Sequence, residues 1–421
     1  MTEPLVDENF REYLFPRDHP RLTDIRGLDV YEYREYAATV DPFTRGLVEG
    51  WRPLYGAPFR GVTTVGALVP GLYPLRPARP GEEAPTAAMV AAATAYLDTL
   101  SPEQRARAVY PAADDVHWQL WANPEFLQHD NGLRLEFLEP AQREAALAVL
   151  DASFSPRGAA LARTCMRING ILGAIVDLAN VMNEFSYNFS LFGTPSETEP
   201  WGWQLFGHHM AVNVAVVGTQ MVATPVFFGA EPNYIDEGPF AGATVFGERI
   251  RLGYEAMAAM TDEQRARVIA YDSLTDPAMP EGRVHPGDER HLAGAFQDNR
   301  VIPLEGARVA DLARPAQEAI RGIVAQFVGH LPDGPAAARR REVDEHWDET
   351  YFVWYGGWRP GDVYYYRVQS PVILAELDHH CGVFLDIDEP KPFHIHTVLR
   401  TPNGNDYARA LVDQWREAHP G

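Results

Sequence analysis

"QLFGHHMAVNVAVVGTQMVATPVFFGAEPN", residues 204–233, decides the fold class. It is dense in Val, Phe and Met, and β-branched and aromatic side chains suit a pleated surface. The pair Gly218-Thr219 divides it into two predicted strands. The same texture returns in "TYFVWYGG", "DVYYYRVQ", "PVILAELDHH" and "FHIHTVLR", within 350–400. Helical periodicity occupies 29–51, 86–99, 239–330 and a closing segment, 405–418. Residues 155–192 begin as a capped helix and turn aromatic and strand-like. Strand blocks parted by helical blocks predict an α+β fold. Its expected centre is an antiparallel sheet built from 203–229 and 350–400, with helices packed around it. The Pro-rich run "VPGLYPLRPARPGEEAP" (69–85) resists regular structure. It predicts an N-terminal helical and Pro-rich segment, 1–85, followed by a main α+β domain, 86–421.

Period-2 geometry then sorts the histidines. In "FHIHTVLR", Phe393, Ile395 and Leu399 share one face, and His394, His396, Val398 and Arg400 share the other. The two imidazoles therefore point together, away from the apolar side, and need no burial. The i, i+2 spacing suits two ligands of one metal, although alone it is a weak signal. In a regular strand His208 and His209 face opposite ways, His208 among Met210, Val212 and Val214. A third cluster is Asp378, His379 and His380, ahead of the turn "DIDEPKP". An isolated strand histidine is usually a satisfied structural residue, and His117, His285, His291, His330 and His419 are read that way. Clustering argues otherwise for His394 and His396 joined by His208 and His209: those four are the expected metal ligands.

Composition bounds the function. The 421 residues carry 36 Lys and Arg against 58 Asp and Glu, a formal charge of −22, which disfavours nucleic acid and anionic membrane as partners. Two cysteines, Cys165 and Cys381, exclude a disulfide scaffold and any CxxC site. The start lacks an apolar h-region, and "AAMVAAATAYL" falls far short of the roughly 18 residues of a membrane span. A soluble, cytoplasmic protein with a small-molecule substrate is expected; the oligomeric state is left open.

One pattern recurs. "LSPEQRARAV" (100–109) resembles "MTDEQRARVI" (260–269), with looser echoes in "LEPAQREAAL" (138–147) and "ARPAQEAIRG" (313–322). Ser101 with Gln104, and Thr261 with Gln264, have capping-box spacing. A shared way of starting helices and an internal duplication explain the likeness equally well.

"PWGWQLFGHHMAVNV", "TPVFFGAEP", "YYYRVQSPVILAELD" and "HIHTVLRTPNGNDY", in that order, resemble the motifs of the bacterial family catalogued as domain of unknown function 3500. The resemblance runs from "LSPEQRA" onward. It implies that the double histidine His208-His209, and the HxH pair His394 and His396 ahead of Asn405-Asp406, are family features. Where the family has a "DNTQN"-like run this chain has "DHHCGVFLDIDEPKP", so His379, His380 and Cys381 are not carried over. The family implies motifs and no activity.

Imidazole ligands suit Cu, Fe or Zn better than Mg or Ca. The leading expectation is a mononuclear Cu- or Fe-dependent oxidoreductase acting on a small organic molecule. A zinc hydrolase with the same ligands is the first alternative, with Glu376, Asp378, Glu231 or Asp236 as base. A non-enzymatic metal- or ligand-binding protein is the second. Arg367 and Arg400 are candidates to hold a substrate carboxylate bidentately, or else to pair with the abundant acid. With Glu376 they complete the expected catalytic set. Trp201, Trp203, Phe227, Phe228, Trp354, Trp358 and Tyr364 to Tyr366 either wall a pocket or fill the core. No HExxH, GxSxG or Walker loop is present.

Overall fold

A computed structural model describes residues 9–420. Two N-terminal helices, α1 (Val30–Thr39) and α2 (Pro42–Trp51), are each capped by an aspartate, Asp29 and Asp41. Residues 69–85 carry no helix or strand, as their prolines dictate. Leu22, Tyr33 and Trp51 of this N-terminal part join the same hydrophobic cluster as the sheet.

The rest is a repeat. Helices α3 (Thr86–Asp98) and α4 (Pro102–Ala108) lead into a short strand, Val109–Tyr110, and a long loop. Then follow α5 (Pro140–Ser153), α6 (Pro156–Ile175) and strands β1 (Tyr187–Phe192), β2 (Trp201–Gly207), β3 (Met210–Val217) and β4 (Val226–Ala230). The order then begins again. Helices α7 (Gly247–Ala258) and α8 (Asp262–Val268) lead into Ile269–Tyr271 and another long loop. Helices α9 (Arg314–Val328) and α10 (Asp333–Glu345) follow, then β5 (Tyr351–Gly356), β6 (Tyr364–Gln369), β7 (Leu374–His379) and β8 (Ile395–Arg400). A last helix, α11 (Arg409–Ala418), closes the chain.

All eight strands lie in one sheet in the order β1-β2-β3-β4-β8-β7-β6-β5, with Val109–Tyr110 at one edge and Ile269–Tyr271 at the other. Reversed, that order maps each half onto the other. The halves meet where β4 pairs antiparallel with β8. The eight central strands pair antiparallel throughout. Both edge strands pair parallel, so the sheet is mixed where a purely antiparallel one was expected. The α+β class stands. The recurring helix starts occupy equivalent places, α4 and α8, each with the full capping box. Gly132 and Gly306 are equivalent too. Each has positive φ, +75° and +78°, and a Cβ there would lie 2.2 Å and 2.1 Å from the carbonyls of Phe189 and Phe352. Glycine is required at both for one reason, close approach to a neighbouring strand. Internal duplication accounts for all of this; a shared helix start accounts only for the caps.

Helices cover one face of the sheet: Trp203 donates from its indole to Ser153 Oγ, 2.9 Å, and Arg249 of α7 reaches Thr397 Oγ1, 2.6 Å. The other face carries polar side chains at alternate positions: Gln204, Asn213, Arg367, Glu376, Asp378, His396 and Arg400. From the alternation this side was expected to need no burial. It is buried, with all seven residues at most 4% exposed. The long loops cover it with their own polar groups. Leu292 and Ala293 N–H each donate to Glu376, 3.0 Å, Arg290 pairs with Asp378, 2.8 Å, and the Trp118 carbonyl accepts from Gln204, 2.9 Å. A buried polar layer is stable only when satisfied in this way. No helix among the described residues is long and apolar enough to cross a membrane.

Candidate metal centre

At one end of the sheet four chain segments converge: the β2–β3 turn, the end of β4, the end of β7 and the start of β8. Gly207 pairs with Met210, which leaves His208-His209 as a two-residue turn rather than part of a continuous strand. The expectation of opposite faces therefore fails. Their rings stack, centroids 3.8 Å apart. His209 has φ +60°, a left-handed conformation that costs a non-glycine residue about 1 kcal/mol or more. The turn is held by His209 N–H to the Asn123 carbonyl, 3.1 Å, and Gly229 N–H to the His209 carbonyl, 2.7 Å. Backbone strain of this kind concentrates at functional sites.

His209 then meets the β8 pair. Its Nε2 lies 3.2 Å from His394 Nε2, which lies 3.0 Å from His396 Nε2. The tautomer of His394 follows from its other nitrogen. Nδ1 is 2.5 Å from the Cys381 carbonyl, which can only accept, so Nδ1 carries a hydrogen and Nε2 is the nitrogen that offers a lone pair in the neutral ring. These two spacings match edges of a coordination polyhedron with bonds of about 2.0–2.1 Å, whose edges are about 2.9–3.4 Å, and all three ligand atoms lie within 4.8 Å of one another. All three residues are buried. Gly229 makes the approach possible. A Cβ at that position would sit 2.8 Å from the His396 ring and 2.9 Å from the His209 ring.

Burial, and then the neighbouring imidazoles, hold His209 well below the usual histidine range. The same causes act on His396, and on His380 together with the Arg290 guanidinium. Neutral imidazole is the form that binds a metal. His208 is lowered to about 3, chiefly by burial. Its Nδ1 donates to Asn169 Oδ1 at 2.8 Å, and its place is behind His209, outside the convergent group.

His291, read from sequence as structural, and His380, left unassigned there, form a second group of three with His396. The signal for His291 was weak: a single histidine in a loop, brought in only by the fold. His379 lies on the helix face, its Nδ1 donating to the Tyr364 carbonyl at 2.8 Å. It borders a separate cavity of about 410 Å³ with His330 and Arg249. Cys381 is partly exposed.

Of the expected catalytic residues, Glu376 lies beside the centre, while Arg367 and Arg400 are engaged with other acids. Glu376 accepts from Tyr365 Oη at 2.6 Å and faces His291 Nδ1 at 3.5 Å. Burial would raise its carboxyl, yet His291 and Arg367 hold it down at about 2. It is an anion behind a ligand-type histidine. Arg367 is spent on Glu305, 2.7 Å, and Gln369, 2.9 Å. Arg400 is spent on Asp298, 2.5 Å, and Asp406, 2.8 Å. Of the other acids weighed, Glu231 is buried 3.8 Å from His394 Nδ1, whereas Asp236 pairs with Arg11 away from the centre.

A cavity of about 680 Å³ opens onto the centre, lined by His208, His209, His380 and His396 and walled by Phe43 and Trp51. None of the aromatics singled out in the sequence lines it. Trp201, Trp203, Trp354, Tyr364 and Tyr366 are fully buried core. Glu125 also faces the cavity; burial raises its carboxyl, and Tyr33 Oη donates to it at 2.5 Å. The volume suits a small organic molecule.

No curated protein and no solved structure matches this chain. A family model matches residues 82–409, which takes in both halves of the repeat and His209, His291, His380, His394 and His396. The chain belongs to that family, described as protein of unknown function (DUF3500).

Proposed function

We propose that the chain is a cytoplasmic metal-dependent oxidoreductase that uses copper or iron to oxidise a small organic molecule. The observation that carries this is the convergence of three buried Nε2 atoms at 3.0 and 3.2 Å, with His394 fixed as a lone-pair donor. Three imidazole ligands leave coordination positions free, as redox metals that handle O₂ require. His209, His394 and His396 hold the ion, and the aromatic-walled cavity binds the substrate. Glu376 orients His291, as carboxylates do behind metal-site histidines. The net charge of −22 favours a small molecule over nucleic acid or anionic membrane. The two cysteines, both free, suit a reducing compartment.

Glu125 favours a second reading, a zinc hydrolase. A carboxyl raised by burial lines the cavity that holds the imidazoles, and a base for metal-bound water needs such a raised carboxyl. Elemental analysis of the purified chain, followed by O₂ uptake with candidate substrates, separates the two. Stoichiometric copper or iron, with turnover abolished by chelation, is expected. Zinc with oxygen-independent turnover supports hydrolysis, and no stoichiometric metal contradicts both.

A further inference from the structure

We propose that the centre takes two ions, with the imidazole of His396 bridging them. This rests on the metal-centre reading above and extends it to a second site. The first group is His209, His394 and His396; the second is His291, His380 and His396, with ligand atoms again within 4.8 Å of one another and all three residues buried. One residue belongs to both groups. An sp² nitrogen has a single in-plane lone pair, so a histidine common to two ions must use both ring nitrogens. His396 is arranged for that. Its Nε2 faces His394 at 3.0 Å, and its Nδ1 is buried with no hydrogen-bond partner.

The second group shows the same unmet demand. His291 Nδ1 and Nε2, and His380 Nε2, are buried without a hydrogen bond. Unpaired buried polar atoms are rare and costly, and several around one point indicate a missing common partner. Glu376 stands behind His291, 3.5 Å from its Nδ1, which leaves Nε2 for the ion, whereas Asp378 lies 3.2 Å from His380 Nε2 itself, beside the ligand atom. The His380 and His396 rings are 3.8 Å apart, a spacing two imidazolium cations do not tolerate, so the pair stays neutral. Bridging removes the remaining N–H proton of His396, which leaves to solvent as the second ion binds. The bridge thus carries one negative charge between two cations.

The test uses the full chain, stripped with a chelator, reloaded with Cu(II) alone and desalted. Two copper ions per chain are expected. The integrated EPR signal should fall well below the copper content, because an imidazolate couples the two spins. His291→Asn and His380→Gln should each lower the content to about one copper per chain and restore a fully visible signal. The wild-type count needs no variant, so a variant that fails to fold does not spoil the test. One copper per wild-type chain overturns the second site and leaves the first standing. Two copper ions with full, uncoupled signal overturn the bridge. No bound copper overturns the underlying metal-centre reading as well.

Discussion

At the scale of single residues, the centre depends on two unusual positions. Gly229 exists because two imidazoles pass where its Cβ would be. Gly229→Ala is expected to keep the fold and weaken metal affinity about 10- to 100-fold, the usual cost of displacing ligand-supporting groups; competition against a chelating dye measures this, and unchanged affinity counts against the site. His209 sits at φ +60°. His209→Gly relieves that strain, so the metal-free variant should unfold at equal or higher denaturant than the wild type while losing metal affinity. A loss of both would make His209 a fold residue. These positions also show what could be read from the chain. His394 and His396 were legible because a strand has period 2. The left-handed turn at His208-His209 was not, because nothing in "FGHHMAV" distinguishes a two-residue turn from a continuous strand. His291 was illegible for the same reason, since only tertiary structure brings a lone loop histidine to the cluster.

Among the elements, the alternating polar layer is the feature whose burial local sequence does not reveal. "FHIHTVLR" and "YYYRVQ" look like strands with a wet face, yet long loops seal that face and satisfy it through backbone N–H and C=O groups. Arg400 illustrates the consequence. It was a candidate clamp for substrate; in the fold it ties the loop residue Asp298 to Asp406. Arg400→Met should leave two buried carboxylates unpaired and destabilise the protein by about 3–5 kcal/mol, with metal affinity of the folded fraction unchanged. Urea unfolding and metal titration check the two halves of that statement. A variant of normal stability with a raised KM would restore the clamp.

In the whole molecule, a duplicated unit forms one sheet, and its pseudo-symmetry is broken at the centre. His208 and His209 occupy the β2–β3 turn; Pro371 and Val372 occupy the equivalent β6–β7 turn at the other end. Only one end of the sheet therefore gathers imidazoles. The repeated "EQRAR" was visible in sequence, but duplication and capping could be separated only once the palindromic strand order was known. Global stability carries a pH signature. His330, on the helix-covered face of the sheet, is lowered to about 4 by burial, against an unfolded value of about 6.5. As pH falls from about 6.5 towards 4, the unfolded chain takes a proton that the folded one refuses. Stability is therefore lost with acid at about 1.4 kcal/mol per pH unit for this residue. His330→Gln should flatten the pH dependence of urea unfolding by about that slope; an unchanged slope would contradict the burial account.

The proposed centre requires that imidazoles from the two halves of the repeat share an ion. Anomalous diffraction at the metal absorption edge, from crystals of the untreated full chain, tests it most directly. The predicted result is a peak about 2 Å from Nε2 of His209, His394 and His396. Density with no peak there, and the three nitrogens bonded only to protein or water, would contradict it.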